Sequence, residues 1–162
     1  MHGGSGLHLL HALALDVVGG VETLFAHYLR SCTRHRHHVL VTRRPPHRQF
    51  QQVLENHAES VHYAKYLGGV KIPRWPGVLR RTHVKRVLAR VSPDVVVNWN
   101  GTGNEVVRQT MGDSGAVGVL YERGGAWWTE PSGELTEFLR DVDLVLCCSH
   151  AAWRMLELRH GL

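Results

Sequence analysis

Two glycines and a handful of carboxylate, amide and indole side chains are the residues of this 162-residue chain whose types and places could do chemistry. Gly19 and Gly20 stand between an apolar run and a helical pattern. Glycines at a strand-to-helix junction let a ligand or another chain approach the backbone, and the free N–H groups of a helix start attract anions. The same pair would equally make a tight turn that binds nothing, and two glycines do not decide between the two. The dinucleotide fingerprint is absent: Gly4 and Gly6 precede the first strand, and Gly101 and Gly103 are followed by Val106 where a third glycine would stand.

A second constellation is Glu122, Arg123 and Trp127, with Gly124, Gly125 and Trp128 beside them. Glu122 follows a strand end, and a charged pair with two indoles on a glycine-hinged loop suits a polar, ring-shaped ligand such as a sugar, against the alternative of an ordinary surface loop. Asn98, Trp99 and Asn100, at the end of another apolar run, invite the same reading more weakly. Arg34-His35-Arg36-His37-His38 lacks tetrahedral ligand spacing and reads as a solvated charged turn, so no metal is expected. Ser149-His150 and Cys148-His150 resemble nucleophile pairs only on paper, because sequence neighbours rarely reach triad geometry and Ser149 has work as a helix cap. Lys71 to Arg90 carries many basic residues beside an apolar stripe; a core-packed helix with a solvated basic face is the favoured reading, and an anionic membrane surface the alternative.

These residues need elements to hold them. Leu7–Leu13, His38–Thr42, Ser60–Ala64, Asp94–Asn98, Ala116–Tyr121 and Val142–Cys148 read as strands. Val21, Leu24, Phe25, Tyr28 and Leu29 recur at helical spacing, and further helices are predicted over Gln49–His57, Val78–Arg90, from Asn104, over Pro131–Arg140 and over His150–Arg159. Lys65–Gly77 reads as a loop, broken by Gly68, Gly69, Pro73 and Pro76. Alternating strands and helices predict an open parallel sheet of about six strands with helices on both faces, a Rossmann-like α/β domain. Ligands of such sheets sit outside the carboxyl ends of the strands.

The bulk properties agree. The length suits one domain, with 1–6 as a flexible leader and 7–162 as the fold, and 43% hydrophobic residues suit a packed core. No apolar run approaches the ~20 residues of a membrane span, and no signal peptide is evident, so the expected place is the cytoplasm. Three cysteines, two of them adjacent, are expected as reduced, buried thiols. A formal charge of +5 favours an anionic partner without choosing one. Nucleic acid is disfavoured, because the arginines are scattered and no recognition motif appears.

LHLLHALALDVVGGVETLFAHYLR, HRHHVLVTRR, SPDVVVNWN and DVDLVLCCSHAAWRMLELRHGL resemble, in that order, segments of the N-terminal domain of the GT-B glycosyltransferases of family 4. The resemblance implies the acceptor-side half of a retaining, metal-independent hexosyltransferase. It would move a sugar from a nucleotide-sugar donor to a glycan or lipid-linked acceptor, with no other cofactor. Gly19 and Gly20 would meet the donor phosphate; Asn100, Glu122, Arg123 and Trp127 would shape the sugar and acceptor side; no catalytic residue is named. Where the family commonly has histidines, this sequence has Glu122 and Trp99. The resemblance also places the nucleotide-binding C-terminal domain beyond Leu162, so the chain alone is expected to be inactive; the alternative reading of Lys71–Arg90 would set it against the inner face of a membrane. The alternative is a Rossmann-like module that binds a sugar or anion and does no chemistry.

Overall fold

The computed structural model describes residues 6–73, 77–99, 112, 114–122 and 133–161. In chain order the elements are β1 (His8–Leu13), α1 (Gly20–Ser31), β2 (Arg36–Val41), α2 (Arg48–His57), β3 (Ser60–Tyr63), β4 (Tyr66–Leu67), β5 (Val70–Lys71), α3 (Val78–Val91), β6 (Val95–Asn98), β7 (Val117–Glu122), α4 (Gly133–Asp141), β8 (Leu144–Cys147) and α5 (His150–His160). Six strands form one sheet in the order β3-β2-β1-β6-β7-β8, every neighbouring pair parallel. This is the open Rossmann-like sheet that the alternation predicts. Strand order reverses between β1 and β6, which opens a crevice at their carboxyl ends.

The central strands are largely apolar because helices cover both their faces, with His11, His37, His38 and Asn98 as buried polar exceptions. Leu13, Val39 and Val41 face α1 and α2, where Phe25, Leu29, Phe50 and Leu54 fill one core. Leu10, Leu40 and Val96 face α3 and pack on Val84, Val87, Leu88 and Val91. Leu120 meets Phe138, Leu139 and Leu156 in a third cluster. Each fully buried leucine contributes roughly 1.5–3 kcal/mol.

Two aspartates lock strands at their entry. Asp94 Oδ2 accepts the His8 N–H at 2.8 Å, joining β6 to β1, and Asp143 Oδ2 accepts the Gly118 N–H at 2.7 Å, joining β8 to β7. Both bonds satisfy donors at strand ends that the ladder would leave open. Gly6 lies against Arg34, whose carbonyl oxygen would be 2.1 Å from a Cβ at that position, so a side chain there would force the backbone apart.

Several expectations change. The predicted loop Lys65–Gly77 contains the small antiparallel hairpin β4–β5, turned by Gly68 at φ +55° and Gly69 at φ +82°. Two-residue strands are too short to show a period, while two glycines at positive φ are what a tight hairpin turn uses. Leu24, placed on the apolar stripe of α1, is 44% exposed, and Glu22 is buried instead. Arg36-His37-His38 is not a solvated turn: it opens β2, and both histidines are buried. Cys148 is exposed, whereas Cys32 and Cys147 are half-buried, and all three thiols are free. The helix predicted from Asn104 lies outside the described residues.

Candidate functional site

The chain leaves β1 through buried Ala14 and Leu15 and re-enters order at Gly19, the N-cap of α1. Gly19 is extended, and no side chain caps the helix. Its carbonyl accepts the Thr23 N–H at 3.0 Å, as a first helical turn requires, and the preceding N–H groups have no helical partner. Neither Gly19 nor Gly20 has a positive φ. A Cβ on Gly20 would meet no atom within 4 Å, so neither backbone conformation nor packing demands glycine there. Without a side chain there, the backbone at the start of α1 is open to approach from outside. At Gly19 a Cβ would come within 2.6 Å of Glu22 Oε2, because the buried Glu22 carboxylate folds back over the helix start. That carboxylate interacts favourably with the helix dipole and would oppose a second anion at the same place.

Glu122 closes β7 and is fully buried, in register with Cys147 of β8. Burial, and then the Glu122 charge, push the Cys147 thiol up. His160, at the end of α5, is also buried, and neither of its ring nitrogens has a hydrogen-bond partner among the described residues. Burial and Arg159 pull the His160 imidazole below its ordinary range while Glu122 pulls the other way, and the lowering prevails. Glu122 stands buried at the carboxyl edge, where β7 ends. Sequence reasoning named the carboxylate and missed His160, which carries no local motif.

Gly19–Gly20 after β1 and Glu122 at the end of β7 share the carboxyl edge, with β6 running between them. Asn100, Arg123 and Trp127 lie outside the described residues. Trp99 is no sugar platform: it is 7% exposed and packs among Phe25, Tyr28 and Tyr121, with ring centroids 5.3, 5.6 and 5.3 Å away.

Trp99 instead anchors a relay that sequence spacing did not reveal. Its indole N–H donates to His11 Nδ1 at 3.1 Å. An indole can only donate, so the neutral His11 ring carries its proton on Nε2 and gives it to His37 Nδ1 at 2.9 Å. The His37 Nε2–H in turn donates to the Cys32 carbonyl at 2.5 Å. Burial and the neighbouring histidines push His11 down to about 3, which keeps the chain of donors neutral. The relay ties the residue after β6 to β1, β2 and the end of α1.

Among the described residues no group of three His, Cys, Asp or Glu is placed to hold a metal ion, and no helix is long and apolar enough to cross a membrane. No protein-family model matches the sequence. No curated protein matches it either. Among solved structures the chain is similar to UGT89C1 of Arabidopsis thaliana, complexed with UDP, at a TM-score of 0.51 and 11% identity. The likeness covers 94% of this chain and 46% of that one, so the chain spans about half the length of this neighbour. It is also similar to the U34-tRNA thiolase NcsA of Methanococcus maripaludis with its iron–sulfur cluster, at a TM-score of 0.40 and 14% identity over 98% of this chain and 58% of that one, a score that carries no inference. What the first likeness establishes is the fold alone: an open parallel six-stranded Rossmann-like sheet.

Proposed function

We propose that this chain is the acceptor-side half of a retaining glycosyltransferase of the family 4 type. It works with a nucleotide-binding half of the same enzyme, without a catalytic metal or further cofactor. The donor is a nucleotide sugar, the acceptor a glycan or a lipid-linked glycan, and the setting is the cytoplasmic side of a membrane. The observation that carries the reading is Gly20: it stands at an uncapped helix start on the carboxyl edge, and neither its backbone angle nor its packing calls for glycine. A donor phosphate approaching that start would use the free N–H groups of α1. Asn100, which follows β6 in sequence, and Arg123 and Trp127, which follow β7, would line the sugar and acceptor side, with Glu122 closing its floor.

The Glu22 carboxylate over Gly19 favours a second reading, a non-catalytic module that takes a neutral sugar, since it repels a phosphate at that point. Incubating the full-length protein with a panel of nucleotide sugars, and following release of the nucleotide, separates the two. Turnover with retained anomeric configuration supports the transferase. Sugar binding with no nucleotide release, unaffected by nucleoside diphosphates, supports the module.

A further inference from the structure

A groove runs along α3 on the side of β3, away from the crevice between β1 and β6. One lobe, of about 470 Å³, is lined by His62, Tyr66, His83, Arg86 and Arg90. The other, of about 340 Å³, is lined by Leu67, Val70, Pro73 and Leu79 with Lys71 at its side. Leu67, His83 and Arg86 border both lobes, so a cationic wall passes directly into an apolar one.

The cationic lobe carries uncompensated charge. No carboxylate lines either lobe, and Arg86 and Arg90 make no hydrogen bond or ion pair among the described residues. The field is felt by its neighbours: burial and then the charges of His38, Arg90 and His83 hold His62 below its ordinary range, and burial with Arg80, Arg43 and Lys71 does the same to Lys65. The lobe is also held in shape. His83 Nε2 donates to the Tyr63 carbonyl at 3.0 Å, Ser60 Oγ bonds His62 Nε2 at 2.9 Å, and Arg80 holds the Ile72 carbonyl at 3.0 Å.

The apolar lobe ends in a tip. The Gly68–Gly69 turn presents Leu67 and Val70, 60% and 72% exposed, and Val78 and Leu79 of α3 are exposed beside them. Apolar side chains on a glycine-turned hairpin next to guanidinium groups unpaired among the described residues match one occupant by charge and by polarity: a phosphate ester carrying acyl chains, at a bilayer surface. We infer that the β4–β5 hairpin and α3 form a docking site for an anionic phospholipid surface, with Leu67, Val70 and Leu79 entering the acyl boundary and Arg86 and Arg90 holding headgroup phosphate. The docking site deepens the membrane setting of the proposed function by naming the residues that would make the contact, and its test needs no turnover, so its failure leaves glycosyl transfer standing.

The test is co-sedimentation of the 162-residue chain with vesicles of phosphatidylcholine alone, or mixed with phosphatidylglycerol, at low salt. Each basic residue at an anionic surface is worth about a fivefold change in partitioning. Wild-type chain should bind the mixed vesicles and not the neutral ones. R86Q/R90Q should bind the mixed vesicles at least about tenfold more weakly. L67S/V70S, which keeps every charge, should also weaken binding, by at least about fivefold. All four side chains are exposed, so both variants should keep the wild-type circular dichroism and melting temperature. Several results would overturn the site: negligible binding to both vesicles, equal binding to both, or binding that survives both double variants. So would saturation by free inorganic phosphate as tight as by vesicles, or retention of a single-stranded oligonucleotide in place of vesicles.

Discussion

The carboxyl-edge positions of Gly20 and Glu122 were legible in the sequence, because one follows and the other closes an apolar strand run, and ligands of this kind of sheet sit at that edge. His11 and His37 were not. They lie 26 positions apart, and only the β1–β2 register brings their rings into hydrogen-bond reach. Trp99 was misplaced for the complementary reason: it follows a strand end like a site residue, yet its indole turns into the α1 side of the core. The buried relay has a consequence in solution. Unfolded histidine takes a proton near pH 6.5, while folded His11 holds out until about 3. His37, His38, His62 and His160 are shifted in the same direction. Below about pH 6.5 the unfolded chain therefore binds more protons than the folded one, and stability falls as pH falls. Well inside that window the loss approaches about 1.4 kcal/mol per pH unit for each histidine still neutral in the fold. Unfolding by urea at pH 7.5, 6.0 and 5.0 should show the midpoint dropping steadily; a constant midpoint would mean that the relay protonates without resistance. Trp99→Phe removes the donor to His11 Nδ1 and leaves a buried acceptor unpaired, which should destabilise by about 1–3 kcal/mol in the same assay at pH 7.5.

Among the elements, long strands and helices announced themselves and short ones did not. α3 shows its core face at Val84, Val87, Leu88 and Val91 and ends where Ser92 takes a left-handed conformation at φ 45° before Pro93. β4 and β5, two residues each, leave no periodic trace, and only their glycine turn could have betrayed the hairpin. The Asp94 and Asp143 bonds give a physical reason for aspartate immediately before an apolar strand: the carboxylate accepts an N–H near the start of the neighbouring strand and sets the pairing at its entry. Asp94→Ala should therefore cost about 1 kcal/mol, discounted for exposure to solvent, and should loosen the β1–β6 end first. Hydrogen exchange at the His8 amide would report it, and an amide as protected in the variant as in the wild type would refute the assignment. Ser149 caps α5 by accepting the Ala152 N–H at 3.1 Å, so Ser149→Ala should lower stability by about 1 kcal/mol and leave any activity intact. Loss of turnover without loss of stability would return Ser149 to the list of reacting groups.

At the scale of the whole molecule, the open parallel sheet was legible in the alternation of elements, whereas its strand order comes from the structure alone, since right-handed crossovers permit more than one order. That order, in turn, brings Gly20 and Glu122 to one edge from opposite halves of the chain. A cleft that positions a donor against an acceptor needs a second wall, and the account supplies it from the nucleotide-binding half, so residues 1–162 alone should turn over no nucleotide sugar. Robust transfer by this chain would mean that the donor sits elsewhere. The central claim is that a donor phosphate comes against the start of α1, and Gly20→Val tests it most directly, because a side chain there meets no protein atom. Turnover and melting should be measured on one preparation of the full-length protein. The account predicts a loss in kcat/KM of at least about tenfold, or roughly 1.4 kcal/mol of transition-state stabilisation, with little change in melting temperature. A variant that melts like the wild type and keeps full kcat/KM would contradict it.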